Sequence, residues 1–292
     1  MRRTMLYLPG NNPNMLLRGH LFEPDGLVID LEDSVSAGEK DSARILVRDV
    51  LRGGEFGNCE VTVRINAADT DHWRNDVGAV VPCGVAGLRV PKVENPQMVR
   101  DIDEEISAVE ARSAIEPGSV KIFCLLETAM GVWNAFDIAK ASPRVTAILP
   151  GGEDLAADLR TSRSREGTEL EWIRRMIIVA ARAAGVDALD TVYPHVNDDE
   201  GLEREVGFIK QLGYDGKSVI HPNQIPVIHA VFNPTEKEIQ TARRIVDAAA
   251  EAASRGLGAV SLDGRMIDAP VIRRARYTLM RAGLSTDLEM KG

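Results

Sequence analysis

Two short apolar runs each end in an acid, Lys121-Ile122-Phe123-Cys124-Leu125-Leu126-Glu127-Thr128 carrying Glu127 and Val145-Thr146-Ala147-Ile148-Leu149-Pro150-Gly151-Gly152-Glu153-Asp154 carrying Asp154. Continuous apolar runs of this length, bounded by turn signals, read as buried parallel strands. Residues 132–139 between them carry apolar side chains at helical spacing, which completes a strand–helix–strand unit. Chemistry in parallel α/β folds sits at the C-terminal ends of strands. Two acids arriving there from neighbouring strands suit a hard divalent cation. Mg²⁺ commonly takes one or two carboxylates and completes its octahedron with water and substrate oxygens. Gly151 and Gly152 lack side chains, so a ligand can approach their backbone N–H groups. Gly152 and its neighbour Glu153 are therefore candidate substrate contacts. An acid after a strand can equally be a helix N-cap, and Asp154 stands before the helical-looking Leu155-Ala156-Ala157. The pair of acids together with the glycines favours the metal site.

The elements that must position these residues follow in order along the chain. Strands are expected at 4–9, 26–32, 60–66, 87–92, 121–128, 145–154, 187–193 and 214–222, from β-branched and apolar runs closed by turn residues. Helical spacing fills 38–52, 73–81, 97–111, 169–184 and 201–212. Eight short strands alternating with helices is the count of an α/β (β/α)₈ TIM barrel. A doubly wound open sheet is the second choice, but no Gly-x-Gly-x-x-Gly follows the first strand. The barrel is expected to end near residue 230. A C-terminal helical extension then covers 231–292, with helices at 235–255 and 270–282, a glycine-bearing β-like stretch at 256–268, and fraying at the last residues. Without a linker or internal repeat, 1–292 reads as one domain.

A barrel gathers all its strand ends around one mouth. Collected there would be Asn11, Glu32, Asp33, Arg64, Lys92, Glu127, Glu153, Asp154, residues 193–195 and His221. Arg64 is the candidate for holding an anionic substrate, because its planar fork matches a carboxylate bidentately. It could instead serve as a structural partner for Glu32 and Asp33, and the two roles are compatible. Lys92 could be a Schiff-base nucleophile, but an acidic mouth raises a lysine pKa, which favours a salt bridge. His195 and His221 have no recognisable nucleophile partner. Asp263 and Asp268 lie in the tail and by composition are ordinary surface acids.

Composition narrows the classes. The net charge of −9 with no basic face argues against a nucleic-acid partner. An anionic substrate remains possible if the pocket itself carries arginine or metal. Cys59, Cys83 and Cys124 are odd in number and widely spaced, as in reduced thiols of a cytoplasmic protein without disulfides or zinc. The run after Met1-Arg2-Arg3 is stopped by Pro9-Gly10, too short for a signal peptide, and no stretch is long enough to span a membrane.

The motifs together carry a family resemblance. They are Leu8-Pro9-Gly10-Asn11-Asn12-Pro13, Ile29-Asp30-Leu31-Glu32-Asp33, Val63-Arg64-Ile65-Asn66 and Arg89-Val90-Pro91-Lys92. Leu126-Glu127-Thr128-Ala129-Met130-Gly131, Gly151-Gly152-Glu153-Asp154, Gly216-Lys217-Ser218 and Gly264-Arg265-Met266-Ile267-Asp268-Ala269-Pro270 continue the series. In this order they make the chain similar to the citrate lyase β-subunit group, within the aldolase family that includes malyl-CoA and citramalyl-CoA lyases. One departure is Ala67, where the family often has glycine.

The resemblance implies a TIM barrel, Mg²⁺ held by Glu127 and Asp154, and substrate contacts through Arg64 and Glu127. It implies homotrimers or their multiples, in which Asp268 enters a neighbouring subunit's site. The implied activity is retro-Claisen cleavage of a 3-hydroxy-acyl thioester, citryl thioester giving oxaloacetate and acetyl thioester. The catalytic candidates are then Arg64, Glu32, Asp33 and a neighbour's Asp268. Coenzyme A or an acyl carrier protein would carry the acyl group, with a transferase subunit as a further partner. A stand-alone malyl-CoA or citramalyl-CoA lyase is the alternative, and a non-catalytic scaffold subunit is the alternative of another class.

Overall fold

The computed structural model describes residues 1–256 and 260–284. Eight parallel strands close into a barrel in sequence order: β1 (Thr4–Pro9), β2 (Gly26–Asp30), β3 (Glu60–Arg64), β4 (Gly87–Val90), β5 (Lys121–Leu126), β6 (Val145–Pro150), β7 (Asp187–Asp190) and β8 (Gly216–Val219). β8 pairs back onto β1 through Met5 and Ser218. The TIM-barrel expectation therefore holds. Side chains alternate along each strand. Met5, Val28, Phe123, Leu125, Ala147, Leu149 and Leu189 point inward and fill the lumen.

The intervening helices are α1 (Pro13–Arg18), α2 (Lys40–Gly53), α3 (Trp73–Val80), α4 (Pro96–Ser113), α5 (Ala129–Trp133), α6 (Ala135–Ala139), α7 (Gly152–Asp158), α8 (Glu171–Ala184), α9 (Asp199–Leu212) and α10 (Gln224–Phe232). Residues such as Val47, Val77, Ile106, Ile177 and Val206 bury the apolar stripes of α2, α3, α4, α8 and α9. The stretch expected as one helix after β5 is two. Thr128 caps α5 by accepting the Gly131 N–H at 3.1 Å. Asn134 then leaves helical geometry, and its side-chain amide donates to the Glu94 carbonyl. A hydrogen bond to another loop outcompetes continuation of the helix.

Several strands end earlier than their apolar runs suggest. β2 stops at Asp30, whose carboxylate accepts the N–H groups of Glu32 and Ser34 at 2.9 and 3.1 Å. That turn moves Glu32 and Asp33 off the strand and into the mouth loop.

The chain divides into two compact units, Arg2–His229 and the segment from Ala230 onward. In the second, α11 (Glu236–Ser254) opens on a capping box between Thr235 and Glu238. It packs on α12 (Ala269–Arg281) around Ala242, Ala275 and Leu279. Between them β9 (Val260–Leu262) and β10 (Arg265–Ile267) form an antiparallel hairpin. The last residues, expected to fray, lie outside the described residues.

Candidate active site

Asp30 and Arg64 are register partners at the ends of β2 and β3, so both point into the mouth. Asp30 grips Arg64 side-on, taking Nε and Nη2 at 2.7 Å each. Burial alone would raise the Asp30 pKa, but the Arg64 guanidinium outweighs it and holds the carboxyl below its usual range. Arg64 is thus an anchored cation. Its Nη1 lies 2.8 Å from Glu32 and 3.1 Å from Asp33. The structural pairing weighed for Arg64 with Glu32 and Asp33 is present, one edge of the guanidinium belongs to Asp30, and the side chain also lines the mouth cavity.

Glu32 is buried and sits between two cations, with Oε1 3.0 Å from Lys92 Nζ and Oε2 beside Arg64. Burial still raises its pKa, and Asp33 adds to that. Lys92 is salt-bridged and not a free amine. Burial lowers its pKa, yet the hydrogen bond and charge of Glu32 prevail and raise it. Lys92 adopts a left-handed φ of 53°. This is uncommon outside glycine. The conformation presents the Lys92 N–H to Glu127 Oε2 at 2.8 Å.

Glu127 is 2 % exposed. Burial pushes its pKa up to about 8, with the charges of Glu32 and Asp154 adding and Arg64 opposing. Gly151 packs against it so closely that a Cβ would collide with Glu127 Cγ and Oε1. Asp154 stands half-buried in the first turn of α7 and lines the same cavity. The cap of α7 is Gly151, without a side-chain cap bond, so Asp154 is not spent as an N-cap. Two mutually repelling carboxylates beside a side-chain-free backbone are a donor set that a hard cation fits. Among the described residues no group of three or more His, Cys, Asp or Glu side chains is arranged to hold a metal. A two-carboxylate site leaves the other positions to water and substrate, which Mg²⁺ accepts.

The glycine N–H groups are not free as expected. Gly151 donates to the Leu126 carbonyl at 3.1 Å and Gly152 to Thr191 Oγ1 at 2.9 Å. The reason for glycine here is space: a Cβ on Gly152 would strike Arg163 and Thr191. Glu153 is exposed and lies 3.4 Å from Nη1 of Arg163, whose Nε donates to Glu169 at 3.1 Å.

The cavity at the barrel mouth has a volume of about 490 Å³, and Tyr7, Asp33, Arg64, Glu127, Asp154 and Ser218 contribute to its wall. Gly152 and Glu153 line it too. Asn11, His195 and His221 do not. Asn11 bonds Glu39, His195 packs edge-on against Tyr193, and His221 accepts the Asn223 N–H. Asp268 caps α12 by accepting the Val271 N–H at 3.2 Å. Sequence reasoning missed Asp30, Tyr7, Thr191 and Ser218. An acid at the end of an otherwise apolar run was the signal available for Asp30.

Residues 3–222 match the HpcH/HpaI aldolase/citrate lyase family. The chain belongs to that family. The citrate lyase subunit beta of Haemophilus influenzae is 45 % identical over 282 residues, covering 97 % of each chain. The crystal structure of CitE from Mycobacterium tuberculosis with magnesium, acetoacetate and coenzyme A superposes with a TM-score of 0.78 at 31 % identity, over 96 % of this chain and 98 % of that one. The citrate lyase beta subunit from M. tuberculosis, complexed with oxaloacetate and magnesium, gives 0.68 at 29 % identity over 79 % and 96 %. Like its family, this chain is a carbon–carbon lyase.

Proposed function

We propose that this lyase cleaves a 3-hydroxy-acyl thioester by a Mg²⁺-dependent retro-Claisen step, with citryl thioester giving oxaloacetate and acetyl thioester. The observation that carries the reading is the acid pair Glu127 and Asp154 facing the Asp30-clamped Arg64 across one cavity. The oxaloacetate and magnesium held by the M. tuberculosis relative support it.

Glu127 and Asp154 would hold the metal, which supplies Lewis acidity to the substrate's hydroxyl and carboxylate oxygens. Arg64 presents its remaining N–H groups to the charge that develops on the thioester oxygen. Because Asp30 fixes its orientation, little reorganisation is needed when that charge appears. A base takes the hydroxyl proton, the bond between the carbinol carbon and the methylene carbon breaks, and the electron pair passes into the thioester enolate. A proton returned to the enolate carbon completes acetyl thioester. Glu32 is buried and held by both Lys92 and Arg64, whereas Asp33 meets Arg64, is largely exposed and lines the cavity, so Asp33 is the better placed base of the two. A neighbour's Asp268 is the remaining candidate. Coenzyme A or a carrier protein would bring the acyl group to the mouth, and a homotrimer is the proposed assembly.

The test is ketoacid release from citryl, malyl and citramalyl thioesters, each on coenzyme A and on carrier protein, with Mg²⁺ or with chelator. Cleavage of citryl thioester that chelator abolishes, and that Asp154→Asn reduces at least about a hundredfold, is expected. Chelator-insensitive turnover, or preference for a malyl or citramalyl thioester, overturns the assignment.

A further inference from the structure

Arg89 lies on β4 between its register partners Arg64 and Phe123, and its side chain is fully buried in the lumen. A guanidinium stays charged in proteins, and a buried cation without a counter-charge is costly. Among the described residues no carboxylate pairs with Arg89, and its Nε and Nη2 have no hydrogen-bond partner. Its Nη1 reaches across the barrel to Tyr7 Oη at 3.3 Å and Ser218 Oγ at 3.5 Å. Its guanidinium also lies 5.4 Å from the Tyr7 ring centroid.

The direction of these bonds matters. Arginine only donates, so both hydroxyl oxygens must accept. Each hydroxyl proton is then left to point elsewhere, and neither hydroxyl has another hydrogen-bond partner among the described residues. Both residues line the mouth cavity. Two O–H donors, backed by a cation that has the Tyr7 and Phe123 rings beside it but no carboxylate partner, form an anion-binding floor distinct from Arg64 and from the Glu127–Asp154 pair.

We propose that Tyr7 and Ser218, polarised by Arg89, bind a second substrate carboxylate and so select the citryl group. The inference rests on the lyase reading above. A citryl thioester carries a carboxymethyl group where malyl and citramalyl thioesters carry hydrogen or methyl. Tyr7 and Ser218 touch that carboxylate. Arg89 is a positioning residue acting through them.

Calorimetric titration with oxaloacetate and with pyruvate, both in Mg²⁺, separates the second carboxylate from the rest of the ligand. The wild-type protein should bind oxaloacetate at least about tenfold more tightly than pyruvate. Arg89→Met and Ser218→Ala should each weaken oxaloacetate about tenfold and leave pyruvate within about threefold, while Arg89→Lys retains part of the preference. In turnover the loss should fall on KM for citryl thioester. Equal losses for both ligands, or a preference that survives in Arg89→Met and Ser218→Ala, overturn the proposal. If circular dichroism shows Arg89→Met unfolded, Ser218→Ala and Tyr7→Phe decide, since neither removes a buried charge. Selective oxaloacetate binding without thioester cleavage would sink the lyase substrate assignment and leave the subsite. Citryl cleavage with an unaltered preference in the variants would sink the subsite alone.

Discussion

At the scale of single residues, Glu127 links metal binding to pH. Its folded pKa, raised to about 8 from an ordinary 4.5, means that the fold without metal favours the protonated acid. The associated stability is complete below the ordinary value and is lost as pH rises through about 8. Metal needs the ionised form, so cation binding opposes that loss. Thermal scans in chelator should therefore show the melting temperature falling from about pH 5 to pH 8, and added Mg²⁺ should restore more at pH 8 than at pH 5. Glu127→Gln should flatten most of both effects. Glu32, raised chiefly by burial, leaves a residual slope. An unchanged pH profile in Glu127→Gln would place the titration elsewhere. Arg64 teaches a different point about single residues. Its place at the mouth was legible from its strand end, but its clamp was not, because Asp30 counts as one more residue of β2 until the register brings it opposite Arg64.

At the scale of elements, β7 and β8 are tied to α8 and α9 by a buried ionic network. Lys217 Nζ contacts Asp190, Glu205 and the Thr191 carbonyl at 2.7, 2.6 and 2.6 Å, and Arg174 takes Asp190 side-on at 2.9 Å. Burial would raise the Asp190 pKa, but Arg174 and Lys217 bring it down to about 2. The network fixes the chain at Thr191, whose hydroxyl receives the Gly152 N–H and so sets the start of α7 and the position of Asp154. Lys217→Met leaves two buried carboxylates sharing Arg174 alone, and should cost about 3–5 kcal/mol in denaturant unfolding. A cost below about 1 kcal/mol would show that water replaces the lysine. Strand count, order and the barrel itself were readable because a parallel strand buried on both faces leaves an unbroken apolar run. What stayed hidden were the charges inside such runs. Lys217 and Arg89 each stand within a strand segment, and only the period-two alternation in three dimensions tells that one faces the helices and the other the lumen. The split between α5 and α6 was hidden for a related reason, since Asn134 answers to Glu94, a residue remote in sequence.

At the scale of the whole molecule, the barrel's outer face exposes Trp133, Phe136, Trp172 and Val179 around a groove of about 570 Å³. An apolar patch of this kind suits an interface, in keeping with the proposed homotrimer. Asp268 supplies the sharper test. Within its own chain it caps α12, and loss of that cap should cost about 1 kcal/mol. The shared-site proposal requires more: Asp268→Ala and Glu127→Gln chains, each inactive alone, should regain partial activity when co-assembled. Mixed oligomers that remain inactive, with Asp268→Ala merely lowering the melting temperature, would leave the cap as its whole role. The seam of the barrel carries a consequence for how the chain comes into being. β1 is flanked by β2 early but by β8 only after nearly all of the barrel has been made, and Gly216 is where a side chain would block the Arg2 carbonyl. Arg2, just before β1, bonds Glu60 at the start of β3 and Asp187 at the start of β7. A nascent chain on the ribosome thus waits with one raw edge until its last strand emerges, the slow, long-range step of folding. Tyr7 and Ser218 come from the two strands that make that final join, so the floor of the cavity does not exist before β8 has been made.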